Sequence, residues 1–182
     1  MKGEFQIDNL ITIATPALGE FGVPNWFGIR SHLNEIIREN AHLFFYNPVV
    51  QRTIGISWCW RDAKRKSQYL KSNLILPLIN NEIQHSRSNQ FKSNFLKLKK
   101  YIIFGSDGDE IVDPWQSQFY GFFNESMKIV PMENQDFFRN DTFGLLTLFR
   151  TNRLIIHFEK DVFHLAWIAR KDLIEKVIKY LD

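Results

Sequence analysis

Residues 104–123 read FGSDGDEIVDPWQSQFYGFF and place four acids, Asp107, Asp109, Glu110 and Asp113, within seven positions. Carboxylates this close together can hold a hard cation, close a solvated turn, or lend one working group to a histidine. A calcium loop of the EF-hand kind needs oxygen ligands at alternate positions and a terminal glutamate. Ile111, Val112 and Pro114 stand where such ligands would fall, so no metal is expected. The third use requires a histidine, and KDVFHLAW supplies His164, 55 positions after Asp109. In nucleophilic catalysis a histidine takes the proton of a hydroxyl, while a carboxylate fixes the ring's tautomer and stabilises its cation. The other histidines, His32, His42, His85 and His157, read as hydrogen-bonded structural groups.

A nucleophile for this pair is harder to find. No G-x-S-x-G string, the strand-to-helix elbow that presents a serine, occurs in the 182 residues. GISW around Ser57 and FGSDG around Ser106 have the wrong flanks. The single cysteine, Cys59 in SWCW, lacks a neighbouring base and reads as a buried, inert thiol. One cysteine also excludes an internal disulfide framework and a multi-cysteine zinc site.

The elements that must position these groups are legible from apolar patterning. LITIA (residues 10–14), YIIFG (101–105) and RLIIHFE (153–159) are short runs rich in β-branched residues. The first two lack polar alternation, as expected of parallel strands covered on both faces. SHLNEIIRENAHLFF carries Leu33, Ile36, Ile37 and Leu43 near helical spacing. ARKDLIEKVIKYLD sets Leu173, Ile174, Val177, Ile178 and Leu181 on one stripe. Strand, helix, strand, helix predicts an α/β domain. About 85 residues separate the first two strands, more than one crossover helix needs, so a helical insertion is expected over roughly residues 26–98. In such sheets function gathers in the loops after the strands. The acid follows the second run and His164 the third, which is the order of the last two triad members in α/β hydrolases.

Bulk properties narrow the class. The chain is long enough for a single domain over 1–182 with a sizeable core. Seventeen phenylalanines, five tryptophans and five tyrosines suit either a large core or an apolar ligand groove, and composition does not choose between them. The basic clusters RDAKRKSQYLK and KSNFLKLKK carry their own apolar spacing, so they read as solvated helix faces rather than a nucleic-acid surface. No run of 18 apolar residues is present to span a membrane, and the first residues carry no secretory apolar region. Asn124-Glu125-Ser126 and Asn140-Asp141-Thr142 are N-glycosylation sequons, meaningful in a secretory compartment.

Several strings together resemble a known family: ATPALGEFGVP, WCWRDA, LPLINNE, FGSDGDEIVDPWQSQFYGFF, FRNDTFGLLTL and HLAW. They look like the carboxyl-terminal part of the palmitoyl-protein thioesterases, and are most similar to the second, lysosomal branch of that family. The resemblance covers nearly the whole chain. It implies a partial α/β-hydrolase fold, mostly parallel sheet with helices, whose early strands and nucleophile belong upstream of Met1. It implies a serine thioesterase acting on fatty-acyl thioesters of proteins, peptides or coenzyme A, lysosomal or secretory, with no cofactor.

Carried over residue by residue, the family's acid falls on Asp109 and its histidine on His164. Asp113 is then left to close the turn before Pro114, and Asp107 and Glu110 to face solvent. Trp58, Trp60, Trp115 and Phe119 become candidates for an acyl-chain pocket, with ordinary core packing as the alternative. WCWRDA departs from the family's Tyr-Trp-His-Asp-Pro type of string at Arg61 and Ala63. The expectation for the 182 residues alone is an inactive fragment, with a pseudoenzyme that binds acyl groups or a partner as the other reading.

Overall fold

The computed structural model describes residues 7–24 and 30–181, with the side chains of residues 30–34 outside that description. In chain order the elements begin with β1 (Asn9–Ile13), followed by α1 (Arg30–Phe45), α2 (Pro48–Thr53), α3 (Lys66–Ser72), α4 (Leu76–Ile79) and α5 (Ser88–Phe95). Then come β2 (Lys100–Ser106), the hairpin β3 (Phe122–Phe123) and β4 (Ile129–Val130), α6 (Asp136–Arg139) and α7 (Leu145–Arg150). The chain closes with β5 (Leu154–Glu159), α8 (Ala166–Ala169) and α9 (Lys171–Ile178). The start of the expected insertion, residues 26–29, lies outside the described residues, as do the side chains of Leu33 and His32.

Three strands pair in parallel in the order β1-β2-β5. β2 has no polar alternation because it has no polar face. Tyr101 and Ile103 enter one buried cluster with Leu18, Phe21, Trp60 and Leu145, while Ile102 and Phe104 enter another with Val162, Trp167 and Leu173. Burying such an aliphatic side chain is worth about 2 kcal/mol, so the central strand anchors both layers.

β1 differs from the expectation. Its five residues are only half-buried, because it pairs with β2 on one side and has no partner strand on the other among the described residues. The two helical stripes are also thinner than their periodicity suggests. Ile37 of α1 packs on the core while Ile36 and Leu43 are exposed. In α9, Leu173 is buried and Val177 packs beside it, but Ile178 and, beyond the helix, Leu181 are exposed. Tyr180 takes part of their place, packing on Phe104 and meeting the His157 Nε2 at 2.7 Å.

The segment between β1 and β2 is held by polar hubs as much as by apolar contact. Glu20 bridges to Trp60 in strand fashion, its N–H donating to the Cys59 carbonyl and its carbonyl accepting from Arg61. Arg61 is buried against the Glu82 carboxylate at 2.5 Å, with the Tyr69 hydroxyl donating to the same oxygen. Burial alone would ease the proton off Arg61, but Glu82 and Tyr69 more than offset it and hold the guanidinium charged. The WCWRDA string is therefore a structural knot: Trp60 stacks on Phe45 at 4.9 Å, and the Tyr46 hydroxyl accepts the Asp62 N–H.

Candidate active site

The register of β2 against β5 sets Ser106 opposite Glu159, so the loops that follow leave the sheet at the same level. Residues 106–113 and 160–165 meet there, the Asp161 and Val162 N–H groups donating to Asp107 and Ser106. Gly108 allows that approach: a Cβ there would sit 2.6 Å from the Asp161 carbonyl carbon and the Val162 nitrogen. Backbone meets backbone at this point, which only the smallest residue permits.

Asp109 is buried, and its two oxygens have separate tasks. Oδ1 accepts the N–H groups of Ile111 and Val112 at 2.8 and 2.9 Å, fixing the carboxylate's orientation. Oδ2 meets the His164 Nδ1 at 2.8 Å. Because a carboxylate accepts, the ring hydrogen belongs on Nδ1 and the Nε2 lone pair is left as the imidazole's acceptor. The His164 side chain keeps 28% of its surface open, so the ring is reachable from outside.

The remaining acids do not simply face solvent. Asp107 Oδ1 accepts the Asp161 N–H at 2.8 Å, and Glu110 Oε2 accepts the His164 N–H at 2.9 Å. Both are half-buried, and their partners are loop amides that have no ladder to satisfy them. Ser106 belongs to the same group: its hydroxyl oxygen accepts from Gly108 N and Val162 N at 2.9 and 2.8 Å. Asp113 closes the far side, pairing with Arg38 at 3.1 Å and lending its carbonyl to Phe21 N. Sequence reasoning set Ser106 aside as a failed nucleophile and missed its role as a staple. Ser57 is equally committed, fully buried with its hydroxyl donating to the Ile54 carbonyl.

Two cavities are roomy enough to bear on where a ligand sits. The larger, about 1290 Å³, is an open cleft beside β1, lined by Leu10, Thr12, Phe95, Tyr101 and Tyr120. None of its lining residues comes from the acid loop or the histidine loop, so its size does not make it the site. The smaller, about 340 Å³, is lined by Val23, Ile37, Phe45, Ile56, Trp60 and Ile111, among others, and Ile111 belongs to the acid loop itself. Of the four aromatics expected in an acyl pocket, Trp60 lines this cavity. Trp58 lies at the surface with its indole N–H on the Gln51 carbonyl, and Trp115 and Phe119 pack on Phe158. The structure does not bring these four together. Asn124 and Asn140 are both exposed.

No group of three or more histidine, cysteine or carboxylate side chains poised to hold a metal occurs among the described residues. No described helix is long and apolar enough to cross a membrane. Burial pushes the Cys59 thiol up to about 11, with Glu20 adding to the effect, so it is no nucleophile at neutral pH.

The model of the family described as palmitoyl protein thioesterase matches residues 1–164. A Drosophila melanogaster protein named lysosomal thioesterase PPT2 homolog is 35% identical over 98% of this chain and 61% of its own length. Lysosomal thioesterase PPT2-B of Xenopus laevis is 32% identical over 97% of the chain and 60% of its length. The human lysosomal thioesterase PPT2 is 27% identical over 97% and 57%. The chain thus spans roughly three-fifths of the length of these relatives.

Proposed function

The chain belongs to the palmitoyl protein thioesterase family, and from that membership we propose that it carries the acid and base of a serine thioesterase acting on fatty-acyl thioesters. The observation that supports this most directly is the 2.8 Å contact between Asp109 Oδ2 and His164 Nδ1 on loops that follow adjacent parallel strands. In this reading the serine comes from polypeptide outside these 182 residues. His164 Nε2 takes the serine proton as the oxygen attacks the thioester carbonyl carbon. The carbon–sulfur bond then breaks, and His164 returns the proton to the leaving sulfur. Water enters by the same route in reverse, with His164 again as base, and releases the fatty acid and the free serine. Asp109 holds the Nδ1 tautomer throughout and stabilises the imidazolium.

The smaller cavity, with Trp60, Phe45 and Ile111 on its wall, is the acyl-chain end of the site in this reading. Trp58, Trp115 and Phe119 do not line it. The chain is the carboxyl-terminal part of an α/β-hydrolase domain, with the helices between β1 and β2 forming an insertion. The substrate is an S-acylated protein or peptide or an acyl-coenzyme A. The relatives' names favour a lysosomal setting, in which Asn124 and Asn140 would carry glycans.

The test is hydrolysis of palmitoyl-coenzyme A by the full gene product. Asp109→Asn should lower kcat by about 10⁴-fold with the fold intact, because it presents the wrong tautomer to the nucleophile. Asp113→Asn should leave kcat within a small factor. The reverse pattern would overturn the assignment of the acid. The 182 residues expressed alone should show no turnover, since they contain no G-x-S-x-G serine. A stable monomer of that length with thioesterase activity would contradict the reading. If palmitate binding by the full gene product persists in an Asp109→Asn, His164→Ala double variant with no turnover in the parent, the chain is an acyl-binding module instead.

A further inference from the structure

Residues 47–75 carry an exposed apolar surface, of which Ile56 also borders the cavity assigned to the acyl chain. Val49 and Ile56 keep 66% and 63% of their surface exposed, and Ile54, Trp58 and Leu74 are exposed with them. These side chains sit on a fixed platform. Gln51, buried to 1%, donates to the carbonyls of Phe45 and Ser57 at 2.7 and 3.0 Å and accepts the Leu74 N–H at 2.9 Å. The Trp58 indole donates to the Gln51 carbonyl, and Asn73 donates to the Trp58 carbonyl at 2.8 Å. Three segments are thereby tied to one buried amide, and the apolar groups they present are held outward.

The charges of the same stretch are one-sided. Between Asn47 and Ile75 there are six basic residues and a single acid, Asp62. Asp62 is buried and paired with Arg65, Arg61 is buried on Glu82, and Lys64 meets Glu39. Arg52, Lys66 and Lys71 remain as exposed cations. Arg52 stands one helical turn from Val49, and Lys71 precedes Leu74 by three residues. Aliphatic groups, one tryptophan and a basic rim to which the stretch itself adds no exposed acid match the chemistry of an anionic lipid surface.

We propose that this face docks on anionic lipid bilayers, with Val49, Ile56 and Trp58 entering the interface and Arg52, Lys66 and Lys71 meeting the headgroups. Ile56 also lines the 340 Å³ cavity together with Trp60 and Ile111. The docked face therefore adjoins that cavity. The inference stands on exposure and charge and does not rest on the assignment of catalysis.

The experiment is sedimentation of the full gene product with vesicles of phosphatidylcholine alone and of phosphatidylcholine containing roughly a third phosphatidylglycerol. Binding is expected to the anionic vesicles only, weakening as salt is raised. Val49→Ser/Ile56→Ser and Arg52→Glu/Lys71→Glu should each reduce partitioning about tenfold or more, with unchanged melting temperature. Lys97→Glu/Lys100→Glu, which alters exposed cations on another segment, should bind like the parent. Absence of binding, equal binding by all variants, or equal loss from the Lys97/Lys100 pair would overturn the proposal. Self-association relieved by Val49→Ser/Ile56→Ser, without vesicle binding, would overturn it and assign the face to a second copy of the chain.

Discussion

Glu110 accepts the backbone N–H of His164 at 2.9 Å, while the neighbouring Asp109 meets the same residue's ring at 2.8 Å. Two adjacent acids thus hold one histidine, one by its main chain and one by its imidazole. Removing the main-chain support should blur the ring's position without touching substrate. In the full gene product, Glu110→Ala is expected to lower kcat about tenfold with KM little changed, the loss of one charge-assisted hydrogen bond. Glu110→Gln keeps an accepting oxygen and should recover most of the rate. Steady-state kinetics on a thioester substrate decides it; a KM effect, or no rescue by glutamine, would show that Glu110 does something else.

Gly108 lies where the acid loop touches the backbone of Asp161 and Val162. Gly108→Ala would force a Cβ into a 2.6 Å contact with main-chain atoms that cannot rotate away. The two loops must part, with a cost of about 1–3 kcal/mol. A fall of several degrees in melting temperature is the expected readout, accompanied by weakened contact between Asp109 and His164. An unchanged melting temperature would mean that the loops separate without cost.

Cys59 gives a chemical check on burial. Its thiol is pushed from 9.0 to about 11 by desolvation first and by Glu20 second. At pH 8 the thiolate fraction is then about a hundredfold below that of an ordinary thiol. Iodoacetamide should label the native protein that much more slowly than the urea-unfolded chain at the same pH. Comparable labelling rates in the two states would show that the thiol is open to solvent.

His157 predicts an acid-sensitive contribution to stability. Its ring stacks on Phe104 at 4.5 Å, meets the Tyr180 hydroxyl, and has its proton affinity lowered chiefly by burial and further by Lys176, against Glu159. The folded state thus binds its proton less readily than the unfolded chain. The associated stability is present above about pH 6.5, the ordinary histidine value, and is lost as pH falls through the lower folded value. Denaturation midpoints compared at pH 7.5 and 5 should converge between parent and His157→Gln as the pH drops. A difference that widens on acidification would reverse the sign.

Much of this architecture was legible because its causes are local. The run YIIFG predicts a strand buried on both faces, and β2 is the central strand with both faces covered. The strand ends pointed to the two loops, and the resemblance to the thioesterases singled out Asp109 among four acids and His164 among five histidines. The roles of Ser106, Asp107 and Glu110 were not legible, since a side chain that accepts a backbone N–H some 55 positions away leaves no pattern in composition or period. β1 shows the complementary limit: LITIA states a preference for burial, and how far it is met depends on what lies beside the strand. Ile178 at the end of the last helix and Leu181 beyond it are exposed for a related reason, because a bulkier neighbour, Tyr180, packs on Phe104.

The staples between the two loops have a mechanical consequence. Every hydrogen bond described between the acid loop and the histidine loop joins residues between Ser106 and His164. The acid and the base therefore share one support, and a change that displaces either loop bears on the contact between them.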